Sequence, residues 1–448
     1  MIQNDNLPKS MRYGLASATA VQATCSLARF SSINGTSFSP TGSNQIRFKV
    51  QAPGFLDAEK HYLQMKITAA GDQSQIDTNV GSVIDRMRIE ANGAVVEEIN
   101  SYHLYNAIRH YYNADMPETY KLAAESGAAA LEAKQGGAFV ADNPVEVVRG
   151  AAGELIADGN SKILCVQLQS GLLKNVHKKA LPEGLVELDI ILTLAGNAVP
   201  LVSATAVTYT IDDPVIFCPM YKIDNGDVMA SYRNVVQQEG RRWTGITAKT
   251  YINNVANGAG TKNLQINDRS LSCLGMVTAL RLATVNTDDA KYSTGAFGYN
   301  DGTGSVSQFK YQIGGINYPA SDINIAVAAN GKNVGRAHEE TLKALARPGH
   351  EYSEGTVGVS NLTTSIIQEY AEAATKSALI PHGLLSVSLK KFDDSMLQMR
   401  GLNTSMNSSP NVLEFVHTGF AADLNATTFS LCEAFYTMLP TGQLVKAD

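Results

Sequence analysis

Apolar and polar positions alternate with period two along much of the chain. Ile46, Phe48 and Val50 alternate with Gln45, Arg47 and Lys49; after a break at Pro53-Gly54, Leu63, Met65 and Ile67 alternate with Gln64, Lys66 and Thr68. Such runs predict strands with one buried and one solvated face, the pattern of an antiparallel sandwich. Val83 to Glu90 and Ala94 to Ile99 read as a hairpin closed by Asn92-Gly93, since both turn positions tolerate positive φ. Further strands are predicted at Ile163 to Leu168, Leu185 to Leu194 and Ala206 to Ile211. Past the midpoint they recur at Trp243 to Ile252, Leu274 to Leu282, Phe309 to Ile313, Leu384 to Leu389, Val412 to His417 and Thr428 to Met438.

The period changes in a few places. From Ser101, Tyr105, Ile108 and Tyr112 fall at helical spacing, and Pro117 opens a second helical stretch to about Gln135. Val228 to Gln238, Gly335 to Ala346 and Thr364 to Lys376 are also predicted helices. Helices inserted between sandwich strands must cover a rim or an edge, because the sheet faces are already used. Pro214 and Pro219 bracket VIFCP, read as a hinge between halves, and the Gly/Asn/Asp/Ser-rich stretch from Asn286 to Ser307 as an exposed, mobile loop. Residues 1–33 are weakly patterned and read as an arm or a first short strand.

The predicted elements repeat although the residues do not. In each half a helical pair is followed by three strands, and counterparts (Ile163 and Leu385, Val186 and Val412, Thr208 and Thr428) are offset by 220 to 226 positions. With about eight strands per half, this implies an all-β fold with inserted helices, two tandem eight-stranded jelly rolls. The expected division is an N-terminal arm at 1–33, a first jelly roll at 34–220 and a second at 221–448.

Composition narrows the function. A chain of 448 residues suits two or three domains. A net charge of −6, with scattered basic doublets (Lys178-Lys179, Arg241-Arg242, Lys390-Lys391), argues against the whole surface being a nucleic-acid binder. Five cysteines, none in CxxC spacing, indicate neither a zinc site nor a disulfide framework, and point to folding in a reducing compartment. The N-terminal segment lacks the apolar core of a signal peptide, and no window approaches a membrane helix.

No catalytic constellation stands out. His103 and His110 fall seven apart on the first predicted helix, amid Tyr102, Tyr105, Tyr111 and Tyr112, and read as packing residues without a carboxylate or cysteine to complete a metal site. Asp212-Asp213, Asp288-Asp289 and Asp393-Asp394 lie near strand ends or in loops, where Asp forms turns. Asp301-Gly302-Thr303-Gly304 lacks the Lys-Ser/Thr of a phosphate loop, and G-x-S-x-G and H-E-x-x-H are absent. Catalytic, cofactor and metal residues are therefore expected to be none.

Several short segments carry a resemblance. Asn34-Gly35-Thr36-Ser37-Phe38-Ser39-Pro40, followed by a strand and Gly54-Phe55-Leu56-Asp57, resembles the start of the double jelly-roll major capsid proteins of tailless icosahedral DNA viruses, which include tailless phages, virophages and polinton-like viruses. Ser170-Gly171-Leu172-Leu173 and Leu181-Pro182, Phe309 to Pro319 (FKYQIGGINYP), and Gly401-Leu402-Asn403-Thr404-Ser405 resemble later family segments in the family's order. The resemblance runs from about Asn34 to Gly442 and does not extend to the N-terminal stretch. It implies a non-enzymatic homotrimer of pseudo-hexagonal outline that tiles an icosahedral shell around the genome, assembled in the host cell. Implied partners are neighbouring capsomers, vertex (penton) proteins and minor capsid proteins, with an internal membrane left open and no sequence-specific nucleic-acid binding. The helical stretches near 101–135 and 335–376 and the loop at 286–307 are the expected contact or outward surfaces. Two readings from other classes remain beside it, a jelly-roll attachment or carbohydrate-binding protein and a sandwich-fold enzyme.

Overall fold

The computed structural model describes residues 23–51, 53–71, 75–76, 79–111, 156, 158–174, 180–197, 199–202, 207–282, 299, 304–325, 327–328, 331–332, 335–345, 383–391, 400–407, 409–420 and 422–448. The first half holds strands β1 (Ala23–Ser31), β2 (Gln45–Val50), β3 (Tyr62–Ala70), β4 (Ile84–Ala91), β5 (Ala94–Asn100), β6 (Ser161–Val166), β7 (Leu188–Leu194) and β8 (Thr208–Ile223). They form two antiparallel sheets, ordered β1-β8-β3-β6 and β2-β7-β4-β5. The second half holds β9 (Arg241–Val255), β10 (Gly260–Ile266), β11 (Cys273–Leu282), β12 (Val306–Ile313), β13 (Ile316–Asn324), β14 (Leu384–Ser388), β15 (Asn411–His417) and β16 (Leu424–Met438). Its sheets run β9-β16-β11-β14 and β10-β15-β12-β13, the same order displaced by eight strands. Each half is therefore a jelly roll. The strands aligned from sequence as counterparts are true topological equivalents: β6 with β14, β7 with β15, β8 with β16.

Alternation sets the faces. Ile46, Phe48 and Val50 of β2 lie inside, with Phe48 opposite Ile190 and Ile46 opposite Leu192 of β7. Their polar neighbours form ion pairs on the solvent side, Arg47 with Asp189 at 3.0 Å and Lys49 with Glu187. The matching face of the second half carries Lys310 with Glu414 at 3.1 Å and Asp322 at 3.6 Å. Exposed pairs of this kind add little stability. They mark these faces as solvated.

Helices α1 (Tyr102–Tyr111), α2 (Gly226–Glu239) and α3 (Gly335–Leu345) lie between strands. The Asn225 side-chain oxygen Oδ1 caps α2 by accepting from the amides of Asp227 and Val228 at 3.1 and 3.2 Å. Gly240, at φ 67°, ends it, its amide donating to Val236 O at 2.9 Å. No described helix is long and apolar enough to cross a membrane. The predicted helices at 117–135 and 364–376, and nearly all of the 286–307 loop, lie outside the described residues.

Two features depart from expectation, and a third takes one of the alternatives read from sequence. The segment VIFCP is not a hinge; it lies inside β8, which runs unbroken from Thr208 to Ile223. The register shifts between Asp212 and Val215, with Asp213 at φ 45°, so Pro214 sits in a bulge, where a strand accommodates a missing amide. Two strands also escaped notice. In β10 only Leu264 and Ile266 face inward, and β13 is an edge strand whose single deeply buried residue is Ile323. Finally, Ala23–Ser31, within the stretch read as an arm or a first short strand, pairs with β8 along its whole length.

The β4–β5 turn places Asn92 at φ 52° and Gly93 at φ 79°, and an added Cβ at Gly93 would meet nothing within 4 Å. Only backbone strain opposes a side chain there. Gly93→Ala is expected to lose about 1–2 kcal/mol in urea unfolding, whereas Gly226→Ala, equally open and without positive φ, stays near neutral; equal losses at both sites would refute the assignment.

Candidate functional site: the junction of the two jelly rolls

The two sheets whose order begins with β1 and β9 differ in one respect. In β3 buried residues alternate with half-buried or exposed ones, whereas β11, its counterpart, is buried on both sides from Cys273 to Arg281. Met276, Leu280, Leu385 and Val387 point into the second half's own core. Val277, Ala279, Leu384, Phe429 and Leu431, on the back of the sheet, join the core of the first half instead. The back of β9-β16-β11-β14 is thus an interior surface, and the first half is what covers it.

Helix α1 and strand β5 do the covering. Tyr105 of α1 meets Phe429 with ring centroids 5.4 Å apart, and Arg109 donates to Leu345 O at the end of α3 at 3.1 Å. Thr250 Oγ1 of β9 donates to Asn100 O at 2.9 Å. Nearby, Glu97 of β5 is 1 % exposed. Its carboxylate accepts from Thr247 Oγ1 of the second half at 2.8 Å, from the amides of Gly171 and Leu172 at 2.8 and 3.3 Å, and from Ser170 Oγ. Four donors compensate its desolvation, as a buried carboxylate requires.

The backbones of the halves also touch. A Cβ on Gly245 would stand 1.9 Å from Gly171 O, and one on Gly442 would stand 2.5 Å from Gly184 O. Val186 N donates to Gly442 O at 3.0 Å. α2 seals the connection: its Tyr232 packs edge-on against Phe55 at 5.0 Å, carries Arg241 over its ring at 5.0 Å and donates to Glu183 O at 3.2 Å.

Other residues considered from sequence scatter. His103 is buried with Nδ1 3.4 Å from Asp85 Oδ1, while the side chain of His110 lies outside the described residues. His61 is structural: the Leu168 amide donates to Nε2 at 2.9 Å and Nδ1 faces Ala58 O. Burial, reinforced by Lys174 and opposed by the Ala58 bond, lowers its pKa to about 4. His417 lies between the rings of Phe415 and Phe420. Asp212-Asp213 flank the β8 bulge; the other two Asp pairs fall outside the described residues. Trp243, the single tryptophan, is 5 % exposed and stacked on Tyr436, so it offers no sugar-binding platform.

Glu97 was not singled out from sequence. The available signal was parity: Glu97 shares its strand face with Ile99, so the predicted strand placed a carboxylate among core residues.

No protein-family model and no curated protein sequence matches this chain. Solved structures do. PBCV-1 VP54, fitted into a reconstruction of the virophage Sputnik, aligns over 97 % of this chain and 99 % of its own, at 10 % identity and a TM-score of 0.57. The mavirus major capsid protein aligns over 99 % and 93 %, at 12 % identity and a TM-score of 0.52. A chain of the Sputnik virophage determined by cryo-EM aligns over 100 % and 92 %, at 12 % identity and a TM-score of 0.53. At such identities the likeness establishes a shared fold, the double jelly roll.

Two outcomes test the junction. Glu97→Ala strands four buried donors and is expected to cost about 3–5 kcal/mol, against about 1–2 for Thr247→Val, in urea unfolding; similar losses would show that the carboxylate is not the anchor. His61, with its folded pKa below the ordinary 6.5, contributes stability that is complete above pH 6.5 and falls away as pH drops toward 4, by about 3 kcal/mol at most. His61→Asn is expected to flatten that limb of the stability curve, and an unchanged slope would exclude His61 as its source.

Proposed function

We propose that this chain is a viral major capsid protein that assembles as a homotrimer of pseudo-hexagonal outline. One observation carries the reading: two surfaces that meet inside the chain have counterparts that meet nothing among the described residues. The back of β9-β16-β11-β14 is covered by β5 and α1. The equivalent back of β1-β8-β3-β6 is bare, with Leu27 54 % and Ile163 64 % exposed and the Tyr62–Phe217 stack between them. The strand equivalent to β5 is β13, also bare, with Ile316 61 % exposed. Repeating the internal contact between chains sets β13 of one copy against the β1-β8-β3-β6 face of the next.

Such a contact is heterologous and must either close into a ring or run on as a filament. A rotation of about one-sixth turn between successive jelly rolls closes after three chains. The likeness to PBCV-1 VP54 and the mavirus major capsid protein supports the capsid role. The first jelly roll begins with β1 and the second with β9, and α2 serves as connector. Trimers tile an icosahedral shell through many modest contacts that sum to a stable whole. A different protein closes the fivefold vertices, and minor capsid proteins or a membrane lie at the inner surface. Catalysis has no part in this reading.

Light scattering with negative-stain imaging of the purified chain is expected to give three times 47.9 kDa and hexagonal particles, or closed shells. Ile163→Glu and Ile316→Glu, one on each bare surface, are each expected to shift the mass to that of a folded monomer. A wild-type monomer at high concentration would overturn the reading; trimers indifferent to both substitutions would overturn the interface.

A further inference from the structure

Two residues five positions apart and a third far along the chain meet inside the second half. Cys273 of β11 lies directly opposite Cys432 of β16, and Asp268, between β10 and β11, brings its carboxylate to the same point. One donor atom from each lies within 4.8 Å of the others, and Cys432 Sγ is 4.0 Å from Asp268 Oδ1. All three residues are at most 2 % exposed. We propose that Asp268, Cys273 and Cys432 bind one thiophilic divalent cation of the zinc class, a site independent of the capsid reading.

The donor set is right for zinc, which takes thiolate sulfur and carboxylate oxygen. Its bond lengths of about 2.3 and 2.0–2.2 Å put tetrahedral donors about 3.5–3.8 Å apart. Closing around the ion therefore needs the widest pair to draw in by about 1 Å. A water, or the Ser270 hydroxyl 2.8 Å from Asp268 Oδ1, completes the fourth position.

Charge is conserved on loading. Two neutral thiols and one carboxylate carry one net negative charge. The entering dication displaces both thiol protons to solvent, and two thiolates, one carboxylate and the dication again carry one net negative charge. The buried pocket acquires no additional charge, so loading avoids the main penalty on burying ions.

Surrounding hydroxyls fit the ligand roles. Ser270 Oγ is 3.0 Å from Cys432 Sγ, and Ser430 Oγ is 3.2 Å from Cys273 Sγ. Tyr251 and Thr404 donate to the Asp268 carboxylate at 3.2 and 2.7 Å, and Asn411 Nδ2 donates to its backbone oxygen at 3.2 Å. Groups of this kind orient metal ligands from behind. Burial implies that the ion enters as the chain folds. Sequence spacing concealed the site because Cys432 is supplied by the last long strand.

The test is metal content of the full chain, produced with zinc supplied and passed over a desalting column. About one zinc per chain is expected, with a thiolate-to-cobalt charge-transfer band when cobalt replaces zinc during refolding. Cys273→Ser and Cys432→Ser should each lose the band and most of the zinc. Should those variants fail to fold, the wild-type measurement decides alone. Zinc below one in ten chains with no cobalt band, or a Cys273–Cys432 disulfide found by mass spectrometry, would overturn the proposal and leave the thiols as core packing.

Discussion

A sheet buried on both faces governs this molecule. The back of β9-β16-β11-β14 presents Val277, Ala279, Leu384, Phe429 and Leu431 to the first half. Leaving those side chains in water would forfeit about 1.5–3 kcal/mol for each of the larger ones, so the second jelly roll is incomplete without the first. Other features of the junction follow from the need to bring the halves within packing distance. Glycines stand where backbones touch, since any side chain on Gly245 would overlap Gly171 O. Glu97 supplies the acceptors that the approaching amides and hydroxyls require, because those groups lose water as the faces close.

The strand plan was legible in the sequence because alternation is a local signal that tertiary context rarely overturns. Helix α2 was legible over Val228 to Gln238, while its cap at Asn225 and stop at Gly240 emerged only in the structure. The tandem repeat was legible only as spacing, which topology then turned into equivalence. Where reading failed, the causes were physical. A proline pair looks like a hinge until a bulge absorbs one of them, and β10 and β13 expose too much of their length to show a clear apolar face. The junction was beyond reach for a different reason. Nothing in the residues of β11 alone says that Val277 and Met276 both lie inside, since a doubly buried strand and a buried helix segment share one apolar signature.

Buried charge is handled in the same manner at separate places. Glu97 is met by four donors at the junction. Glu433 of β16 accepts from Arg400 Nε at 2.7 Å, from the Arg400 amide at 2.8 Å and from Ser272 Oγ at 2.7 Å. Asp268 gathers hydroxyls from Tyr251, Ser270 and Thr404. Each carboxylate ties loop backbone or loop side chains to a strand at a fixed register. Because several of the donors are backbone amides, no apolar side chain could replace these carboxylates without leaving buried N–H groups unpaired.

The asymmetry between the halves has a consequence for how a duplicated fold diverges. Two equivalent jelly rolls start with the same two surfaces, a sheet back and the strand that covers it. Within one chain, one copy of each surface is consumed and becomes core, as the continuous burial of β11 records. In the proposed trimer the unused copies would have to stay soluble in the isolated subunit yet bind when subunits meet. That dual demand accounts for their mixed character, in which Ile163 stands beside Lys66 and Leu27 beside Arg29. Charged neighbours keep an exposed sheet from indiscriminate association, while the apolar residues between them supply the area that a specific contact buries. A fully apolar face would aggregate, and a fully charged one would not assemble.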